Sequence, residues 1–249
     1  AAVGQACFYP GTVKATFGTG CFVILNTGEK IVKSSNRLLT TIGLQINQKQ
    51  TYAMEGSIFI AGAVVQWLRD GIGLLDDARQ SEKIVSELKS NHGLYMVPAF
   101  TGLGAPYWSP DARGAIYGIT RDTGPEHFIR AALEAVAYQT NDLISAMAQD
   151  GVSPTNLKVD GGMAANNWLM QFLSDIIDIT VERPSQLETT ALGAAMLAGV
   201  ADGRFSAIED TALSWNLDRR FHSTMAPSAR RNLTSGWYQS VMKTRLSVS

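Results

Sequence analysis

Alternation opens the chain. Val13, Ala15 and Phe17 fall on one side of the backbone and Lys14 and Thr16 on the other, which predicts a half-buried strand over 12–17. Gly18, Thr19 and Gly20 then turn the chain. The apolar run 21–25 suits a buried partner strand, closed by Asn26, Thr27 and Gly28, so the segment reads as a β-hairpin. Short strands are expected over 39–44 and 52–54. The period then lengthens: Ile58, Ala61, Val65 and Leu68 recur at helical spacing through Asp70, with Ser57 as the expected N-cap. A more polar helix is expected over 76–89, a strand over 94–97, a turn-rich loop over 98–110 and a strand over 115–119.

Thr123 and Glu126 stand at capping-box spacing, with Pro125 inside the first turn. The helix they open should run to about Gln149 and turn Phe128, Ala132, Ala135, Val136, Leu143 and Met147 inward. A strand over 157–159 meets Asp160, Gly161 and Gly162. The next helix is strongly amphipathic, with Trp168, Leu169, Phe172, Leu173, Ile176 and Ile177 on one stripe, read as core. A strand over 179–181 and an alanine-rich helix over 189–197, ending at Gly199, follow. Intermixed strands and helices predict an α/β fold with helices on the faces of one sheet. Residues 210–249 read as a helical appendage. No tandem repeat, low-complexity tract or linker is evident.

Composition narrows the function classes. The 249 residues suffice for one large domain or two small ones, at 45% hydrophobic and 17% charged content. A formal net charge of −1 gives no reason to expect nucleic acid or an anionic membrane as partner. No apolar run approaches the roughly 18 residues of a membrane span. Cys7 and Cys21 make no disulfide framework, and the scattered His92, His127 and His222 suggest no metal cluster or Ser/His triad. Cytoplasmic localisation is the default expectation.

Three glycine-bearing segments carry the candidate chemistry. The 18–20 turn can bring backbone N–H groups onto a phosphate, with the Thr19 hydroxyl beside them, although taken alone an ordinary hairpin turn is the preferred reading. Gly62 and Gln66 lie four apart on one predicted helical face. A mid-helix glycine costs about 1 kcal/mol relative to alanine, so either a ligand or a neighbouring helix is expected against it. Asp160, Gly161 and Gly162 follow a strand and precede a helix, a setting that can hold an anion or a planar base, or serve as a structural turn. Asn166 and Asn167 then stand at the helix start, suited to capping or ligand contact. The 98–110 loop is read as pinned by buried rings, and Arg130 with Glu134 as a solvated helix pair.

Together these segments resemble the C-terminal half of the FGGY carbohydrate kinases, and within them the glycerol kinase branch. The resemblance rests on TFGTGCF (16–22), YAMEG (52–56), QWLRD (66–70), PAFTGLGAPYW (98–108), ARGAIYG (112–118), HFIRAALE (127–134), VDGGMAANNWLMQ (159–171) and TALGAA (190–195). It is collinear over nearly the whole chain, and the 114–134 stretch is similar to the family's second signature. It implies an actin-like, ribonuclease H-like fold, with 1–249 as the ATP-binding C-terminal domain. It further implies that Thr19 contacts the ATP phosphates, that Gly62 and Gln66 line the nucleotide site, and that Gly162 and Asn166 hold the adenosine end. Phe22 would pack on glycerol's carbon backbone.

The implied partners are ATP or ADP, glycerol and the chain's own N-terminal domain, with room for a homo-oligomer. Mg2+ would be held through the phosphates and that other domain. In the family a Gly-Asp-Gln-Gln segment precedes the position of Ala1, and its Asp is the general base. The chain begins with Ala1, so this segment on its own is expected to be catalytically inactive; another FGGY sugar or polyol kinase, or a non-catalytic nucleotide-binding module, is the alternative.

Overall fold

In the computed structural model, which describes residues 1–246, the hairpin forms as the alternation requires: β1 (Val13–Phe17) pairs antiparallel with β2 (Cys21–Gly28). β3 (Leu39–Ile46) and β4 (Lys49–Ile58) form a second hairpin, the latter much longer than the expected 52–54 strand. The apolar spacing from Ile58 to Leu68 spans a junction rather than one helix. Ser57 and Ile58 end β4, and helix α1 covers Gly62–Gln66 before widening into a π-helical turn, Trp67–Gly71. Its N-cap is Ala61, which has no capping side chain. Helix α2 (Gln80–Ser86) is shorter than expected, and β5 (Tyr95–Val97) pairs with β6 (Ala115–Tyr117) in a small separate sheet.

The long helix α3 (Pro125–Gln149) begins one residue later than the capping-box reading. Gly124 is its N-cap, and the buried His127 accepts the Gly124 amide through Nδ1 at 3.0 Å. Thr123 instead accepts the Thr120 amide. Of the expected inward set, Phe128 is only partly buried and the other five are buried. β7 (Asn156–Asp160), α4 (Asn167–Ile177), β8 (Thr180–Pro184) and α5 (Thr189–Ala201) follow, close to expectation.

Residues 210–246 are not purely helical. β9 (Leu217–Phe221) pairs antiparallel with β8 and closes one edge of the main sheet, ahead of α6 (Pro227–Leu246). Residues 247–249 of the expected appendage lie outside the described residues.

The seven-stranded sheet runs β3-β4-β2-β1-β7-β8-β9, with β1, β7 and β8 mutually parallel. Register assigns opposite characters to its two faces. Val13, Ala15, Phe17, Val23, Leu157 and Val159 share one face and join the core with α3 and α4, where Leu133, Val136, Leu169 and Leu173 are fully buried. Lys14, Lys158, Glu182 and Arg220 form a charged row across the other face, beside Thr16, Asp160 and Phe22. No helix among the described residues is long and apolar enough to cross a membrane.

Candidate nucleotide-binding site

The first wall is the turn after β1. Gly18 donates to the Gly20 carbonyl at 2.9 Å, and the start of α1 donates back to the same turn: Gly62 to the Gly18 carbonyl (2.9 Å), Ala61 and Ala63 to that of Thr19 (2.9 and 3.0 Å). The first amides of a helix lack intrahelical acceptors. Here the turn supplies them, so turn and helix are held as a unit. Gly62 therefore opens α1 rather than interrupting it, and the mid-helix cost expected of it does not arise.

The second wall follows β7. Gly161 adopts φ +86, and a Cβ there would fall 2.5 Å from the Phe17 carbonyl oxygen, so only glycine lets the two chains pass this closely. Gly162 next to it has no heavy atom within 4 Å of a built Cβ and faces open space. Asn166 caps α4, its side-chain oxygen accepting the Leu169 amide at 2.9 Å. The third side is α2, where Glu82 accepts Asn167 Nδ2 at 2.9 Å and the Asn166 amide reaches Ser81 Oγ at 3.4 Å.

These elements enclose a cavity of about 460 Å³ lined by Thr19, Gly62, Gln66, Gly162 and Asn166, all five residues expected at the nucleotide. Phe22 lies elsewhere. It stands half-exposed on the charged face of the sheet, paired with Thr16 across β1 and β2. The sequence reading missed Ser81, Glu82, Leu133 and Met163 as lining residues. Met163 lies within the glycine-bearing 159–171 segment that marked the wall, whereas Ser81 and Glu82 come from an ordinary polar helix with no local signal. Arg69 and Arg79 stand at the rim, each beside its own counterion: Arg69 Nε lies 2.6 Å from Asp70, and the Arg79 guanidinium holds Asp77 down to about 2.

The lining suits holding rather than reacting. Glycine and amide groups form the floor, and Glu82, the one carboxylate among the described lining residues, is already engaged by Asn167. Among the described residues there is no group of three or more His, Cys, Asp or Glu placed to hold a metal ion.

Comparison with known proteins agrees with this architecture. Residues 13–201 match the model of the C-terminal domain of the FGGY family of carbohydrate kinases. Glycerol kinase 1 of Pseudomonas aeruginosa is 57% identical over 245 residues, covering 98% of this chain and 50% of the relative. Glycerol kinase of Alteromonas mediterranea is 55% identical over 247 residues, with coverages of 99% and 50%. The crystal structure of Plasmodium falciparum glycerol kinase with ADP superposes with a TM-score of 0.90 at 41% identity, over 98% of this chain and 49% of that one. The chain thus spans about half the length of the curated relatives it matches. The mixed sheet flanked by helices is the actin-like fold of these kinases, and the chain belongs to the FGGY family of carbohydrate kinases, as its C-terminal domain.

Proposed function

We propose that this chain is the nucleotide-holding half of an ATP-dependent glycerol kinase, which transfers the γ-phosphoryl group of ATP to a terminal hydroxyl of glycerol and yields sn-glycerol 3-phosphate and ADP. The observation that carries the reading is the convergence of Thr19, Gly62, Gln66, Gly162 and Asn166, from distant parts of the chain, on one cavity. In this reading Thr19 meets the phosphates, Gly62 and Gln66 flank the nucleotide, and Gly162 and Asn166 hold the adenosine end. Phe22, a large ring half-exposed on the face that carries the charged row, offers apolar contact to glycerol's carbon backbone.

The general base is the Asp that the family carries just ahead of the position of Ala1. It takes the hydroxyl proton as the glycerol oxygen attacks the γ-phosphorus and ADP leaves in line. Such transfer depends on positioning both partners and on neutralising charge, which a single wall of a cleft does not accomplish. Mg2+ would be held by the ATP phosphates and the amino-terminal half, and would neutralise charge on the transferring phosphoryl group.

A coupled assay of glycerol-dependent ADP formation tests the reading. The full-length protein should turn over with glycerol, and residues 1–249 alone should not. Turnover by residues 1–249, or a full-length protein that phosphorylates a different polyol in preference to glycerol, would overturn it.

A further inference from the structure

Asp160 is a buried carboxylate used on one side only. It ends β7 directly ahead of Gly161 and Gly162, and it is 1% exposed. Its Oδ2 accepts two hydrogen bonds, from Gln5 Nε2 and Thr189 Oγ1, both at 2.7 Å. Its Oδ1 is buried and has no partner among the described residues. An asparagine could serve both donors through its single oxygen. Two donors on one oxygen thus do not by themselves require a carboxylate here, and an unmade hydrogen bond on a buried polar group is costly.

The adjacent strand carries the opposite charge in similar isolation. Lys14 is 2% exposed, and its ammonium donates to Thr16 Oγ1 at 2.8 Å and to the Phe22 carbonyl at 3.2 Å. It forms no salt bridge among the described residues. Register places Thr16 beside Asp160, so Lys14 and Asp160 share the face of the sheet that presents Phe22.

The segment between is firmly held. Gln5 is fully buried; its side-chain oxygen accepts Trp215 Nε1 at 2.8 Å, and its carbonyl accepts Lys158 Nζ at 2.8 Å. Gly4 packs its backbone against Gly193 of α5, where a Cβ on Gly193 would lie 2.8 Å from the Gly4 nitrogen.

We propose that Asp160 and Lys14 are positioning residues for the chemical step: Asp160, through Gln5, ties the chain that follows Ala1 to the glycine turn of the nucleotide cavity, and Lys14, through Thr16 and the Phe22 carbonyl, fixes the strand beside it, and so the two set the base relative to the γ-phosphorus. This rests on the functional reading above, in which the base lies just ahead of Ala1. Neither residue lines the cavity, so substitution should spare nucleotide affinity and strike the step in which the base acts.

The test is made in the full-length kinase with Asp160→Asn and Lys14→Met. Each should lower kcat about tenfold or more, with the Michaelis constants for ATP and glycerol held within about twofold. The acid limb of the kcat profile should also move in opposite directions. Removing the negative charge of Asp160 lowers the pKa of a nearby carboxylate base, and removing the positive charge of Lys14 raises it. A purely structural role would instead lower the melting temperature, leave the acid limb in place and raise the Michaelis constants; that result overturns the proposal. If Lys14→Met fails to fold, the isosteric Asp160→Asn alone decides. A wild-type enzyme inactive with glycerol defeats the functional reading itself and this proposal with it, whereas an active wild type with unaffected variants defeats only the positioning role.

Discussion

The Gly62 amide donates to the Gly18 carbonyl at 2.9 Å, and a Cβ built on Gly62 would stand 2.5 Å from that same oxygen. The hydrogen bond that ties α1 to the turn thus requires the absence of a side chain on its donor residue. Because the obstructing atom is backbone, relief must come from moving the turn itself.

Gly62→Ala should therefore cost stability and nucleotide affinity together. An overpacked contact of this kind costs about 1–3 kcal/mol, and the shifted turn carries Thr19 away from its place on the cavity wall. Thermal melts and ADP calorimetry on the same preparation check this. A lower melting temperature with weaker ADP binding is expected; unchanged values of both would show that the turn yields freely.

Gly162 should behave in the opposite way. Nothing lies within 4 Å of a Cβ at this position, and its open side is the cavity. Gly162→Val should leave the melting temperature nearly unchanged while weakening ADP binding about tenfold or more, the free-energy equivalent of about 1.4 kcal/mol. A loss of stability without a loss of binding would place the side chain against protein rather than in ligand space.

Arg130 and Glu134 show what local spacing conceals. Four residues apart on a helix, they read as a solvated pair, yet the Glu134 residue is 2% exposed. Its carboxylate meets Arg130 Nε at 2.8 Å and Asn91 Nδ2, and burial pushes it up to about 7 against the pull of Arg130. Arg130 in turn donates to the Leu88 carbonyl and lies over the Trp168 ring. Removing one partner of a buried pair costs about 3–5 kcal/mol. Arg130→Met should therefore lower the melting temperature, and more at pH 8, where Glu134 must carry its charge unpaired, than at pH 5. Equal losses at both pH values would show that Glu134 does not change its charge between pH 5 and pH 8.

The same contrast separates what the sequence revealed from what it hid. The β1–β2 hairpin and the α4 stripe were legible because alternation and helical period act within a dozen residues. The cavity walls were legible because close backbone approach leaves glycines behind, at Gly20, Gly62 and Gly161, whereas a nucleotide against them was implied only by the family resemblance. The fate of Ser81 and Glu82 was not, since they reach the cavity only through the docking of α2 beside the start of α4. The Ile58–Leu68 spacing misled for a related reason: a strand end and a helix start each contributed apolar residues, and their sum imitated one helical period. In the 98–110 loop only part of the buried-ring expectation holds. Tyr107 is partly buried and hydrogen-bonded to Asp142, whereas Trp108 is 43% exposed and donates to the Arg37 carbonyl.

Asp142 itself gives the last prediction. Its Oδ2 accepts both the Tyr107 hydroxyl at 2.9 Å and Trp237 Nε1 at 2.8 Å, joining the 98–110 loop and α6 to α3. Burial raises its carboxyl from 3.8 to about 7, although both hydrogen bonds favour the ionised form. The folded state therefore binds more protons than the unfolded one between those values. The stability this group contributes is fully present below about pH 4, falls as pH rises, and levels off above about pH 7. Asp142→Asn keeps one oxygen for both donors and never ionises. Relative to wild type it should gain stability steadily across that window. The gap should reach the order of a few kcal/mol by pH 8, at about 1.4 kcal/mol per pKa unit. Denaturant melts of both proteins at pH 4, 6 and 8 measure it directly. A gap that stays constant across the three would mean that Asp142 ionises at the ordinary carboxylate pKa and that its burial carries no proton.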